Sequence, residues 1–422
     1  MFRSLATRNF RLFFVGQLVS AIGNWLTMIA STLFVLHLTD RGIAVGALTA
    51  CQFGPLLLFG LWAGAIIDRV DKRRLLLVTQ IVAALQSAAL AALAFHGDPP
   101  LAAVYAVTLV GGCILAIDST ARRAFVVELV DEDLVTNAVS LNSAIMTSAR
   151  VVGPVLAGLL VSLVGYGWCF TLDALSYVGP TVAMLLMRPA EIRRAPMVLR
   201  AKGQVRAALR YVGRVPELWL PMVMTAVIGT LTLNFQVMMP LLVKKTFAST
   251  DSVFTLLFSV LSVGSLLGSL WIARRTILPL TQTVATATLL GVATLALAAA
   301  PTLAAAFPIA LVIGFGMTAF ITASTGNMQL TADAEKRGRV LALQSVVLIG
   351  TTPIGGPILG LVCDSFGPRA GLVLAGVACL VACALGFAVA WRQPAVRSVE
   401  LATADARRST ARGAAAADGR RG

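Results

Sequence analysis

The sequence contains twelve apolar runs that are each long enough to cross a lipid bilayer as an α-helix. A spanning helix needs about 20 mostly apolar residues. Charged residues, Pro or Gly bound each run, and edges of this kind are typical of membrane spans. The runs cover residues 13–38, 45–67, 75–95, 101–117, 138–164, 168–187, 218–243, 253–273, 278–299, 303–324, 340–362 and 370–391. The sequence therefore predicts an all-α polytopic membrane protein.

The composition excludes a soluble protein of ordinary design. Hydrophobic residues make up 58% of the chain and charged residues only 13%, whereas soluble domains keep roughly 25% charged residues. The net charge of +15 could suggest a nucleic-acid partner. However, the basic residues lie in short clusters between the apolar runs and not on one face. We therefore expect membrane lipids and no nucleic acid as partners.

The basic residues also predict the orientation of the chain. They crowd the loops on the side of both termini. The opposite loops hold few of them, namely Arg41, Lys244, Lys245 and Arg369. By the positive-inside rule both termini are cytoplasmic, which an even number of spans allows. We expect a multi-pass protein of the cell inner (plasma) membrane.

A polar, Arg-rich connector over residues 188–216 divides the apolar runs into six and six. We predict an N-terminal half (1–187), a C-terminal half (217–391) and a disordered tail rich in Ala and Arg (392–422). Apolar residues recur at helical spacing in the connector opposite Arg206, Arg210 and Arg214. This pattern favours a helix on an anionic lipid leaflet, and a solvated linker is the alternative.

The loop between the second and third runs carries a charged motif. Its residues are Gly64-Ala-Ile-Ile-Asp68-Arg69-Val-Asp71-Lys72-Arg73-Arg74. The motif resembles the signature of the major facilitator superfamily, G-x-x-x-D-[RK]-x-G-[RK]-[RK], with Asp71 in place of the usual glycine. The resemblance implies twelve helices in two six-helix halves. It also implies a cytoplasmic latch that includes Asp68, Lys72 and Asp118. A plain positive-inside loop is the alternative.

A second motif lies in the fifth run, with an alanine at two of its glycine positions. Its residues are Ala149, Gly153, Pro154, Ala157 and Gly158, and they resemble the superfamily's antiporter motif, G-x-x-x-G-P-x-x-G-G. Small residues and a proline allow close packing and a bend. In similar exporters this helix seals the outer end of the cavity.

The stretch from Arg123 to Pro154, which includes Glu128, Asn137 and Arg150, resembles the subgroup of the enterobactin exporter and the macrolide-type efflux pumps. The resemblance implies a secondary transporter that exports a small organic molecule, of the drug or siderophore class, as a proton antiporter. Import of a small solute is the alternative direction.

Ionisable side chains at membrane depth are costly and indicate function. Asp173 is our candidate for proton coupling, because a carboxyl group there can exchange its charge for a proton. Its alternative is a structural acceptor for hydroxyls such as Thr171 or Ser176. Arg150 could bind an anionic cargo, pair with Asp173 or bond helix carbonyls. Amides at Gln17, Asn24 and Asn234 are further cavity candidates.

An enzyme embedded in the membrane is the rival from another class. The sequence has two His residues and no HExxH, GxSxG or Walker-type loop, so the parts for hydrolytic, metal and nucleotide chemistry are missing. We expect a transporter without cofactors or metals that acts on a small molecule as a monomer.

Overall fold

The computed structural model describes residues 3–67, 70–193, 204–275, 278–333 and 336–391. Within these ranges, twelve helical segments are long and apolar enough to cross a membrane, which confirms the predicted number of spans. Asp68, Arg69 and the tail lie outside the described residues, so the predictions made for them stay predictions.

Nine spans are single helices and three consist of two helices in series. The helices are α1 (Arg8–Thr39), α2 (Gly42–Ile67), α3 (Lys72–Phe95), α4 (Leu101–Glu128), α5 (Val135–Val164), α6 (Tyr166–Ser176), α7 (Val178–Leu186), α8 (Gln204–Arg214), α9 (Pro216–Leu231), α10 (Phe235–Leu241), α11 (Asp251–Ala273), α12 (Leu280–Ala299), α13 (Leu303–Thr331), α14 (Arg337–Gly350), α15 (Thr352–Phe366) and α16 (Pro368–Trp391). Spans six, seven and eleven are α6 with α7, α9 with α10 and α14 with α15.

Two of the interruptions lie next to residues that disfavour a regular helix. Pro353 follows the break between α14 and α15 and occupies the first turn of α15, where a proline needs no backbone N–H. Asn234 precedes α10, and its side-chain amide donates to the Thr230 carbonyl oxygen at 2.7 Å. Its side chain thus bonds a backbone group at the end of α9.

The spans pack in two sets that follow the chain order. In the first set α1 packs against α5, α6 and α7, α2 against α4, and α3 against α4 and α6. In the second set α13 packs against α11 and α12, and α12 against α16. The two sets meet mainly where α2 contacts α15 and where α5 contacts α11. We call the end of the bundle where α1 begins the terminal end, and the opposite end the distal end.

The connector contains the predicted helix, α8, but this helix packs against protein. Val212 is buried beside Leu218 and Val340. The Tyr211 hydroxyl accepts a hydrogen bond from the Asp333 backbone N–H at 3.1 Å, and the Lys336 ammonium lies 4.3 Å from the Tyr211 ring centroid. The described part of α8 is therefore attached to the terminal end of the second set, unlike a free linker.

Candidate functional site

A polar cavity lies inside the first set of spans. Its volume is about 90 Å³, and its lining comes from α1, α2, α3, α4, α6 and the residue after α6. Most of the lining residues have polar side chains, namely Asn24, Thr27, Ser31, Gln52, Gln80, Gln86, Thr108, Asp118, Arg122, Asp173 and Tyr177. Such a group of polar residues is unusual in a membrane-embedded bundle, where each unsatisfied group is expensive.

Asp173 is the most buried acid of this cavity, with 1% of its surface exposed. Its carboxylate accepts hydrogen bonds from Thr27 at 2.6 Å and Ser87 at 2.7 Å, both on Oδ2, and from Ser176 at 3.3 Å on Oδ1. Among the described residues, no Lys, Arg or His forms an ion pair with it. The donors come from α1, α3 and α6, so Asp173 joins three spans. Thr171, the other hydroxyl considered as a donor, bonds its own helix at Gly167.

The close approach of α1 to Asp173 requires a glycine. A Cβ added at Gly23 would overlap the carboxylate of Asp173 and the hydroxyl of Ser176. At the next residue of α1, the side-chain oxygen of Asn24 accepts a hydrogen bond from the Tyr177 hydroxyl at 3.0 Å. The side-chain N–H of Asn24 donates to the Ser20 backbone carbonyl. The predicted candidates Asp173 and Asn24 are thus brought to one cavity.

Asp118 lies at the other end of the cavity and has a different set of partners. Its carboxylate forms an ion pair with Arg122, one turn along α4. It also accepts hydrogen bonds from Thr79 at 3.0 Å and Gln80 at 2.9 Å. Asp118 therefore has a cationic partner as well as two neutral hydrogen-bond donors.

Two described residues of the predicted latch, Lys72 and Asp118, have different ionic partners. Lys72 forms an ion pair with Glu128 at 2.7 Å, and both side chains are largely buried, so Lys72 and Asp118 belong to separate pairs. Glu128 ends α4 and Lys72 begins α3, which brings the two side chains together at the terminal end. The sequence did not single out Glu128 as a latch residue, because its partner is distant along the chain.

The other described residues of the charged motif lie at helix ends, where Arg73 and Asp71 bond backbone groups. The Arg73 guanidinium donates to the backbone carbonyls of Met184 at 2.7 Å and Leu185 at 3.3 Å, which are C-terminal acceptors of α7. Asp71, which replaces the glycine of the signature, accepts from the Arg74 N–H and caps α3. Gly64 lies in the last turn of α2.

The small residues of the fifth span form two helix contacts. Ala149, Gly153, Pro154, Ala157 and Gly158 are all buried. Gly153 lies against Trp25 of α1, and a Cβ on Gly158 would overlap Thr255 of α11. The motif therefore holds α5 against α1 and, nearer the distal end, against the second set of spans.

Arg150 lies about two turns before Gly158 on α5, beside Trp25 of α1. Arg150, Pro154 and Gly158 follow at intervals of four residues, which places them along one side of the helix. The guanidinium carbon lies 5.9 Å from the Trp25 ring centroid. The Nε atom is buried without a hydrogen-bond partner among the described residues, and no ion pair links Arg150 to Asp173 within them. The described contacts of Arg150 thus support neither a pair with Asp173 nor bonds to helix carbonyls. Binding of an anionic cargo stays a prediction.

Gln17 and Asn234 do not line the polar cavity. Gln17 is fully buried, and both atoms of its amide lack a partner among the described residues. Asn234 is 2% exposed and bonds the backbone at the end of α9. Their positions in the first span of a repeat suggested a cavity role. Such a span can also turn a side chain toward neighbouring helices, and both residues are buried in this way.

The distal end carries a network that links the two sets of spans. The Asp364 carboxylate of α15 accepts from the Gly42 N–H at 2.7 Å and the Ile43 N–H at 2.9 Å, at the start of α2. Lys245 lies 3.3 Å from the same carboxylate. Nearby, the Tyr166 hydroxyl donates to Asp251 at 2.8 Å. Neither Asp364 nor Asp251 was a candidate from the sequence, although an acid near the end of an apolar run was a signal.

Glycines make the distal contact between α2 and α15 close. A Cβ on Gly46 would lie 2.5 Å from the Gly356 carbonyl oxygen, and a Cβ on Gly42 would lie 2.8 Å from that of Gly360. Backbone atoms cannot move away as a flexible side chain can. Gly356 and Gly360 of α15 are thus part of the contact between the two sets.

Comparison with known proteins identifies the type of protein that shares these features. The family model described as transmembrane secretion effector matches residues 1–417. The multidrug efflux pump Tap of Mycolicibacterium fortuitum is 26% identical over 416 residues, which cover 92% of this chain and 96% of Tap. These findings confirm the predicted resemblance and exclude the alternative of an embedded enzyme.

Two siderophore transporters match over shorter stretches. The staphyloferrin A transporter of Staphylococcus aureus is 25% identical over 61% of this chain and 65% of its own length. The enterobactin exporter EntS of Shigella boydii is 25% identical over 39% of this chain and 40% of its own length. Both matches span less than two thirds of the relative.

Solved structures confirm the fold. A bacterial homolog of the human lysosomal transporter Spinster, in an inward-facing and unoccupied conformation, has a TM-score of 0.70 and 14% sequence identity. The comparison covers 90% of this chain and 95% of that chain. The described helices therefore form a major facilitator fold.

Proposed function

Because the chain belongs to the transmembrane secretion effector family of major facilitator transporters, we propose that it exports a small organic molecule by alternating access as a proton antiporter. The cargo class is that of the relatives, drugs and siderophores. The predicted cytoplasmic location of both termini makes the terminal end the inner side and the distal end the outer side.

The burial of Asp173 without a cationic partner among the described residues carries the proton part of this proposal. An ionised carboxylate in a bundle surrounded by lipid is expensive unless it is paired. Hydroxyls from three spans bond this carboxylate, so a change in its charge alters contacts of α1, α3 and α6. Protonation can thereby be coupled to helix movement, as antiport requires.

The distal network supports alternating access. The contacts of Asp364 with α2 and of Gly158 with Thr255 hold the two sets together at the proposed outer side. Arg150 lies eight residues before Gly158, which is about 12 Å along the helix toward the proposed inner side. A cargo that enters between the two sets from the cytoplasm would meet the Arg150 guanidinium before it reaches this closed contact.

The charge of Arg150 favours an anionic cargo. Its neighbour on α1 is the Trp25 ring, and its Nε has no partner among the described residues. A planar guanidinium recognises carboxylate-type oxygens through paired hydrogen bonds, and the indole offers a flat apolar surface for a ring. A siderophore with acidic oxygens fits this pair better than a cationic drug.

The test of coupling is transport by purified protein in proteoliposomes under an imposed pH gradient. A macrolide, a catecholate siderophore and a cationic dye serve as candidate cargoes. Asp173→Asn should lower gradient-driven export at least about tenfold while cargo binding persists. The control is Asp133→Asn, which changes an exposed acid paired with Arg3. Unchanged coupling in Asp173→Asn would remove this residue from the mechanism.

The test of cargo class compares affinities. Arg150→Gln should weaken binding of the anionic siderophore about tenfold or more, the size of a lost charged hydrogen bond, and leave binding of the cationic dye unchanged. A uniform loss for both probes would indicate a structural role. Uptake into inverted vesicles separates export from the alternative, import, because only an exporter fills them when their interior is acidic.

A further inference from the structure

The polar cavity of the first set extends along much of the membrane. On α4 its lining runs from Thr108 to Arg122, fourteen residues apart, or about 21 Å at the rise of an α-helix. Asp118 and Arg122 lie toward the terminal end of α4. Asp173 and Ser31 line it farther from that end. All lining residues belong to the first six spans.

The cavity is suited to hold water. A water molecule needs about 10–15 Å³ of such volume and two to four polar partners, so about 90 Å³ accommodates several. Thr108 is 6% exposed, and its hydroxyl has no hydrogen-bond partner among the described residues. The Gln80 carbonyl oxygen is likewise buried and unpaired among them. A water molecule in the cavity can form a hydrogen bond with either group.

From this geometry we infer that the cavity is an aqueous branch through which the coupling proton travels between the cytoplasmic side and Asp173. The inference rests on the proposed proton antiport. Its titratable lining consists of Asp118, Arg122, Asp173 and Tyr177. The ion pair of Asp118 with Arg122 forms the inner end of the branch, and Gln80 hydrogen-bonds this pair.

The arrangement separates the proton from the cargo. The lining is made by α1, α2, α3, α4 and α6, with Tyr177. It includes no residue of α5, the helix that carries Arg150 and the contact of Gly158 with the second set. Asp173 faces the cavity, and its hydroxyl donors Thr27 and Ser176 come from α1 and α6. A proton leaving Asp173 thus reaches the branch without passing Arg150 of α5.

The experiment narrows the branch with a larger apolar side chain and leaves Asp118 and Asp173 unchanged. Ala83 of α3 lines the cavity and is buried, and Ala83→Leu places a larger apolar group in the path of water. The matched control is Ala92→Leu, an exposed position of the same helix. In proteoliposomes we expect Ala83→Leu to slow the proton flux evoked by a transported cargo about tenfold, with cargo affinity and melting temperature as in the control.

A second variant keeps the inference testable if Ala83→Leu folds poorly. Thr108→Val keeps the side-chain volume and removes the unpaired hydroxyl, and it should slow the proton flux about threefold. Flux equal to that of the control in both variants would overturn the branch. If the wild type moves cargo without any response to the pH gradient, the proposed antiport itself fails, and this result is distinct from the other two.

Discussion

Asp118 and Asp173 are both acids buried in the first six spans, but their partners differ in kind. Asp118 has the Arg122 guanidinium one turn away on its own helix, a spacing that the sequence displays. The donors of Asp173 include Thr27 and Ser87, which lie on other helices. Sequence reasoning could therefore identify Asp173 as an intramembrane acid, but the helix packing decided what surrounds it.

At the residue scale we also predict that Lys72 and Glu128 stabilise the terminal end only as a pair. Their side chains are 11% and 4% exposed, so removal of one partner leaves a desolvated charge. Glu128→Gln should lower the free energy of unfolding by about 3 kcal/mol, measured by chemical denaturation in detergent. The double change Lys72→Met with Glu128→Leu should recover most of this loss.

The control for this pair is a surface ion pair. Arg188 and Glu191 have side chains 64% and 44% exposed, so Glu191→Gln should cost less than about 1 kcal/mol. Equal losses for Glu128→Gln and Glu191→Gln would show that burial does not strengthen the Lys72 pair.

At the scale of helices, α2 and α15 form a close crossing between the two sets. Gly42 and Gly46 of α2 face Gly360 and Gly356 of α15. The Asp364 carboxylate completes the contact, because it accepts from the first N–H groups of α2. These groups have no partner within their own helix, and the acid also complements the positive end of the helix dipole.

We predict that a side chain at Gly46 prevents this crossing. Gly46→Val should reduce transport at least about tenfold, because its Cβ would collide with the backbone of Gly356. Gly60→Val is the matched control on the same helix, since a Cβ there approaches only the flexible Leu56 side chain, at 3.3 Å. Transport is measured in vesicles at equal protein content. Full activity of Gly46→Val would show that the two helices need not approach this closely during the cycle.

At the scale of the whole molecule, the main contacts between the two sets among the described residues lie toward the distal end. They include the crossing of α2 with α15, the contact of Gly158 with Thr255 and the hydrogen bond from Tyr166 to Asp251. The Lys72 and Asp118 pairs at the terminal end each lie within the first set. This asymmetry fits a transporter closed on one side, and the orientation of the chain decides which side that is.

The orientation is open to a direct test. Reporter domains fused to the N-terminus and, separately, to the C-terminus should both be active only in the cytoplasm, because Lys and Arg crowd the loops on that side. A fusion in the loop at Arg41 is the control and should report the outer side. Termini on opposite sides would contradict both the orientation and the even number of spans.

The sequence by itself determined the class, the twelve spans and their predicted orientation, because lipid requires long apolar helices and basic loops mark the cytoplasmic side. It also placed Asp173 and the small residues of span five at membrane depth. Only the tertiary structure decided that Lys72 pairs with Glu128, that Asp364 caps α2, and that Asn24 shares a cavity with Asp173 while Gln17 and Asn234 do not. The physical reason is that periodicity along one helix fixes neither its rotation nor its neighbours. Those follow from packing among residues that lie far apart in the chain.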